Sequence, residues 1–207
     1  MYMPAAFLET RPEVVAAFLA EHPMAQLVTM TADGLVATPL PMLYEPTADG
    51  MGSLVGHVAR ANTHWAQATS VEALAIFTGP NAYVSPNWYP AKAEHGKVVP
   101  TWNYESVYVR GDFVVHDERD WKLALVTRLT ERHESRFASP WAVTDAPPEY
   151  IEAMLKAIVG VEMRISSIQA KRKLSQNRSD ADVAGTIKGL SAEGGDSARV
   201  ADAMRRR

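Results

Sequence analysis

The chain has no cysteine. Disulfides, thiol nucleophiles and thiolate metal sites are thereby excluded, and the composition fits a reducing compartment. Positive charge is not in excess either. Lys and Arg number 21 against 24 Asp and Glu, a formal net charge of −3, so nothing in the bulk electrostatics draws the chain to nucleic acid. Long apolar runs are missing: "VVAAFLA" at 14–20 is far too short to span a bilayer. The opening "MYMPAAFLETRPEVV" lacks the basic and apolar regions of a signal peptide. A cytoplasmic location without a membrane partner is the expectation. Several catalytic signatures fail as well. Gly50 and Gly52 open a G-x-G whose third glycine is replaced by Val55, and His133-Glu134 begins an H-E-x-x-H that ends in Phe137. No G-x-S-x-G elbow occurs. The six histidines are scattered without tight pairing, so no metal site is expected.

What remains is an ordinary globular composition, 47% hydrophobic and 22% charged over 207 residues, which suits one domain with a helical appendage. The stretch 9–23 reads as a helix that Thr10 caps and Pro23 ends. Segments 24–30 and 35–45 read as a hairpin turning at Asp33-Gly34. A strand over 52–59 and a short helix over 62–70, capped by Asn62, come next. Residues 72–79 and 81–86 read as two strands about a Gly79-Pro80 turn. Then come a strand at 106–117, helices at 118–135 and 147–158, and a strand at 159–174. The end is expected to be a weak helix and a loose, glycine-rich tail. There are no internal repeats. The order is mainly β with α, without regular strand–helix alternation, and predicts a small antiparallel barrel decorated with helices.

Three clusters carry chemistry. In "GHVARAN", His57 ends a strand and Arg60 and Asn62 begin a helix, an arrangement suited to an anion. In "KAEHGKVVPTWNYESVYVRG" at 92–111, Lys97, Thr101 and Asn103 are donors beside Trp102, which offers a ring for stacking. In "KRKLSQNR" at 171–178, Lys171, Arg172, Lys173 and Arg178 are four cations with no acid among them, and Ser175, Gln176 and Asn177 add polar donors. That run suits a phosphate or a phosphodiester backbone. Each cluster also has a plain structural reading as a helix start, an aromatic loop and a solvated basic turn. Taken together they predict a flat, anionic, aromatic ligand.

Several blocks, in order, resemble the PaiB family of FMN-binding negative transcriptional regulators: "MYMPAAF", "GHVARAN", "FTGPNAYVSPNWYP", "KAEHGKVVPTWNY", "RLTERHE", "PPEYIEAMLKAIVGVE" and "KLSQNR". The resemblance spans roughly residues 1–190 and implies an FMN-binding split β-barrel, α+β in class. It also implies FMN as cofactor and a homodimer with FMN near the subunit interface. It points to His57, Arg60 and Asn62 for the flavin phosphate. It adds Lys97, Thr101, Trp102, Asn103, Ser175, Gln176 and Arg178 as cofactor-binding residues, so that "KAEHGKVVPTWNY" would form one wall of a flavin pocket and the other two clusters its other walls. The domain is expected over 1–175, with a C-terminal helix and flexible tail over 176–207.

Flavin-dependent reduction would fit the lack of a catalytic constellation, since the flavin carries that chemistry. Two alternatives stand beside it. One is a DNA-binding repressor acting without flavin turnover through the 171–178 run and the terminal arginines, although helix 118–135 balances its charges and is a poor phosphate tracker. The other is a haem protein with His57, His95 or His133 as axial ligand.

Overall fold

The computed structural model describes residues 1–47, 50–68 and 72–206. The chain forms two compact units. The first comprises Met1–Phe18, Phe77–Tyr108 and Gln169–Arg207, and the second Leu19–Ile76 and Val109–Ile168.

The strands are β1 (Leu8–Glu9), β2 (Met24–Thr31), β3 (Gly34–Pro41), β4 (Leu43–Glu45), β5 (Ser53–Ala59), β6 (Glu72–Val84), β7 (Thr101–His116) and β8 (Ile158–Lys173). They form one sheet in the order β3-β2-β6-β7-β8-β5-β4, with β1 paired to β8. The pairs β1/β8, β2/β3, β4/β5 and β5/β8 are antiparallel. β2 shows why: Ala25, Leu27, Thr29 and Thr31 are buried while alternate residues face outward, the period-two pattern of a strand with one covered face. Its hairpin turns one residue earlier than expected. Thr31 pairs with Gly34, Gly34 takes φ +113°, and the Thr31 hydroxyl donates to the Gly34 carbonyl at 2.9 Å.

The helices are α1 (Pro12–Glu21), α2 (His64–Gln67), α3 (Ala91–His95), α4 (Arg119–Glu134), α5 (Pro148–Lys156), α6 (Asp180–Glu193) and α7 (Gly195–Arg205). Helix α2 is shorter than expected, and Thr69 and Ser70 of that expectation lie outside the described residues, as does Arg207 of the tail. In the second unit α4 lays Leu125 and Leu129 on Val55 of β5, with Leu43 and Trp121 around them.

Two further expectations fail. Residues 72–84 form one strand, not two about a Gly79-Pro80 turn; proline's φ lies within the extended range and does not oblige a turn. The supposed loose tail is helical. Val200, Ala201, Ala203 and Met204 of α7 are buried with Val183 and Leu190 of α6. Glycines of this C-terminal segment serve close approach and helix ending. A Cβ at Gly185 would lie 2.0 Å from the Trp88 carbonyl oxygen, and one at Gly189 2.3 Å from the Trp88 ring. Gly194 and Gly195, at φ +76° and +54°, end one helix and start the next. Ser179 caps α6, accepting from the Asp182 N–H at 3.2 Å.

Candidate functional site

The "TWNY" motif lies on a strand rather than in the loop expected for it, since β7 begins at Thr101. Successive side chains on a strand point to opposite faces. Trp102, Tyr104, Ser106 and Tyr108 therefore share one face of β7. All four line a cavity of about 580 Å³ in the first unit, together with Tyr2, Thr78, Asn81, Lys171 and the carboxylate residue Glu105. Trp102 is 53% exposed and meets Tyr83 edge to face at 6.2 Å.

The opposite face of β7 fixes this wall in place. Asn103 is fully buried, and its amide donates to the Ser175 hydroxyl at 2.9 Å and to the Met204 sulfur at 3.5 Å. Glu105 is buried and accepts from Arg172 Nε at 2.6 Å. Arg172 also reaches Glu9 at 3.5 Å. Hydrogen bonds from Arg11 above all, with Arg11 and Arg172 charge adding to them, hold the Glu9 carboxyl at about 2 against the opposing effect of burial. In the turn after β8, Ser175 takes φ +63°. Gln176 closes the turn, accepting from the Leu174 N–H at 2.7 Å and donating to the Arg172 carbonyl at 2.5 Å. Ser175, Gln176 and Asn103 thus act on one another and on the backbone. Arg178 lies over the Tyr89 ring at 4.8 Å, and Lys97 is exposed on the loop after α3.

The basic run is not a solvated turn. Lys171 is 8% exposed, Arg172 is enclosed between two carboxylates, and Lys173 donates to the Thr101 hydroxyl at 2.6 Å and to the Trp102 carbonyl. Burial first, then the charges of Lys171 and Arg178, push the Lys173 ammonium pKa below its ordinary value.

The "GHVARAN" residues lie in the second unit and have their own partners. Arg60 donates from Nε to the Lys156 carbonyl at 2.7 Å, to both Asp117 oxygens, and to the Ile158 carbonyl at 3.2 Å. Hydrogen bonds from Arg60 and then Lys122 pull Asp117 down to about 2. Asn62 accepts the His64 N–H at 3.0 Å and donates to the Thr38 hydroxyl at 3.4 Å. These contacts employ Arg60 and Asn62 differently from the expected anion contact: they tie loops and a helix start together. His57 is half-buried on β5 and its Nδ1 has no hydrogen-bond partner among the described residues; burial lowers its pKa and favours the neutral ring. The buried His64 bridges the hydroxyls of Thr29 and Thr38 at 2.7 and 2.8 Å. His95 and His133 are exposed. Among the described residues, no group of three or more His, Asp or Glu is placed to hold a metal ion, and no helix is long and apolar enough to cross a membrane.

Sequence comparison decides the family. The model of the family described as "Putative FMN-binding domain" matches residues 1–167. The chain belongs to this family. It is 33% identical over 194 residues to the protease synthase and sporulation protein PAI 2 of Bacillus subtilis, covering 93% of this chain and 90% of that protein. The PaiB resemblance read from the motifs is thus borne out, and the family's cofactor is FMN. Two solved structures share the fold. The FAD and haem binding protein of Mycobacterium smegmatis aligns with a TM-score of 0.58 at 20% identity, covering 86% of this chain and 78% of that one. The flavocytochrome Anf3 of Azotobacter vinelandii aligns at 0.57 and 14% identity, covering 86% and 75%. The α+β split-barrel class is borne out with them, and a sheet whose order ends at β3 and β4 agrees with a split barrel.

The first unit's cavity fits the family's cofactor. Its volume falls in the range of small-molecule sites, about 300–1,000 Å³. Four aromatic side chains offer faces and edges to a flat ring, and Thr78, Asn81, Ser106 and Lys171 offer polar atoms. Reasoning from the sequence did not single out Tyr2, Thr78, Asn81, Tyr104, Ser106 and Tyr108, which line this cavity, and it named Lys171 only within the basic run. A signal was present, because "WNYESVY" places aromatics at every second position apart from Ser106, the mark of one strand face.

Proposed function

We propose that this FMN-binding split-barrel protein is a flavin-dependent oxidoreductase that holds the flavin ring in the aromatic cleft of its first unit. The observation that carries this reading is the cavity of about 580 Å³ walled by Tyr2, Trp102, Tyr104 and Tyr108. When bound, FMN supplies reversible redox chemistry. The chain's own residues then bind and orient. Trp102 and Tyr104 offer ring contacts, Thr78, Asn81 and Ser106 offer hydrogen bonds, and the Asn103–Ser175–Met204 contacts hold β7 so that those side chains keep their places.

Transcriptional regulation on this reading is indirect. Enclosure and hydrogen bonding of Lys171, Arg172 and Lys173 count against these residues as DNA contacts and leave the terminal arginines as the support for direct binding. A homodimer belongs to the same proposal: the half-exposed Trp102 and Tyr83 at the cleft suit cover by a second copy. Sedimentation should give twice the chain mass, and a monomeric mass with FMN bound would exclude it.

Trp102→Ala is expected to weaken FMN binding by about tenfold, the equivalent of roughly 1.4 kcal/mol for an aromatic contact and its buried area. Titration followed by flavin fluorescence measures it. Affinity equal to wild type would place the ring elsewhere. Bleaching of the bound flavin's colour by a reduced nicotinamide nucleotide would establish the reductase, and no bleaching by any two-electron donor would leave an FMN-binding protein without turnover.

A further inference from the structure

The one carboxylate lining the aromatic cleft of the first unit among the described residues, Glu105, is paired with Arg172, and the other cations beside the cleft have no carboxylate partner among those residues. The Lys171 ammonium lines the cavity, 8% exposed, within 5.8 Å of the Tyr2 ring centre and 5.5 Å of the Tyr104 ring centre. Its one hydrogen bond goes to the Tyr2 carbonyl at 3.2 Å. An ammonium has three N–H donors, so two have no protein acceptor among the described residues. Lys173, two residues along β8 and on the same strand face, donates to the Thr101 hydroxyl and the Trp102 carbonyl, also without a carboxylate partner among those residues. The Arg178 guanidinium stacks on Tyr89 and forms no ion pair with a described carboxylate. The three feel one another: the charges of Lys171 and Arg178 add to burial in lowering the Lys173 pKa.

Arg172 shows what the others lack. It lies between the two lysines in sequence, faces the other way, and has both Glu105 and Glu9. Enclosing an ammonium is costly unless an anion accompanies it. A phosphate supplies charge and several acceptor oxygens at once, and lysine binds it as a point charge.

We propose that Lys171, which lines the aromatic cleft, and Lys173, next along the same face of β8 and bonded to Thr101 and Trp102, hold a phosphate monoester, with Arg178 adding positive potential. The proposal rests on the flavin reading for the ligand's ring, and its phosphate contact is tested separately. Two ligands carry this chemistry: FMN itself through its 5′-phosphate, or a second phosphorylated substrate in the same cleft.

The full chain, Lys171→Gln, Lys173→Gln, Lys171→Arg and Trp102→Ala would each be titrated with FMN, with riboflavin and with inorganic phosphate. Circular dichroism would check that each variant is folded. If FMN is the source, the wild type prefers FMN to riboflavin by about tenfold or more, as expected for hydrogen bonds to a charged group. Each Gln variant then loses most of that preference, while Lys171→Arg keeps part of it. If the source is a second substrate, the FMN-to-riboflavin ratio does not move, but the Gln variants lose their binding of inorganic phosphate. Folded Gln variants that keep both the ratio and the phosphate binding overturn the proposal. Should Lys171→Gln not fold, Lys173→Gln decides by the same readings. Trp102→Ala separates the two levels: unchanged FMN affinity there sinks the flavin reading, whatever the lysine variants show.

Discussion

Replacing Arg172 with methionine should destabilise the protein by about 3 kcal/mol, the lower end of what removing one partner of a buried ion pair costs. Arg172 donates from Nε to Glu105 at 2.6 Å, reaches Glu9 at 3.5 Å, and touches the Ala203 carbonyl at 3.5 Å. Glu9 would keep its contact with Arg11. Glu105 would not keep a cation, because Arg172 is its only ion-pair partner among the described residues. The penalty is that of a buried carboxylate left without a partner, more than that of a missing attraction. The double variant Arg172→Met with Glu105→Gln, which leaves no buried charge there, should recover much of the loss. Urea midpoints at constant m-value measure both. A single-variant cost below about 1 kcal/mol would mean that water reaches Glu105 and that the pair is worth no more than a surface contact.

The second large effect has a sign that helix propensity alone gets wrong. Gly185 lies inside α6, and in an open helix Gly→Ala stabilises by about 1 kcal/mol. Here the new methyl would sit 2.0 Å from the Trp88 carbonyl oxygen and 3.3 Å from the Pro90 ring. The obstacle is backbone, held by hydrogen bonds from the Trp88 and Tyr89 amides to Ser85 and Pro86. A side chain swinging aside cannot relieve it. Overpacking of this kind costs about 1–3 kcal/mol and should outweigh the propensity gain, so Gly185→Ala lowers the urea midpoint. It should also unsettle α7, whose Val200 and Met204 share a cluster with Val183 and Leu190 of α6. A stabilised Gly185→Ala would show that α6 does not approach Trp88 so closely.

These two variants also mark what the sequence made legible. Helices α4 and α5 were readable because their apolar spacing is local. So was the β2/β3 hairpin, to within one residue at its turn. Glycines were the recurrent source of error. Gly194 and Gly195 read as looseness although they end α6 and start α7, and nothing local at Gly185 and Gly189 reveals that Trp88 comes against them. Gly79-Pro80 read as a turn although the sheet carries the chain straight through it. At the site, the chemistry of the residues was legible and their direction was not. Asn103, Ser175 and Gln176 were singled out as donors to a ligand, and they bond one another and the backbone. Lys171 read as part of a basic run, but its burial between two tyrosine rings arises only when β8 comes beside β7 and the N-terminal residues.

The central claim is that this chain binds FMN, and the visible absorption spectrum of the purified protein tests it most directly. The spectrum would be recorded before adding FMN and again after adding it and desalting. Two flavin bands that survive desalting and weaken in Trp102→Ala are expected. A single intense Soret band, or no chromophore retained after FMN is added, would contradict the claim.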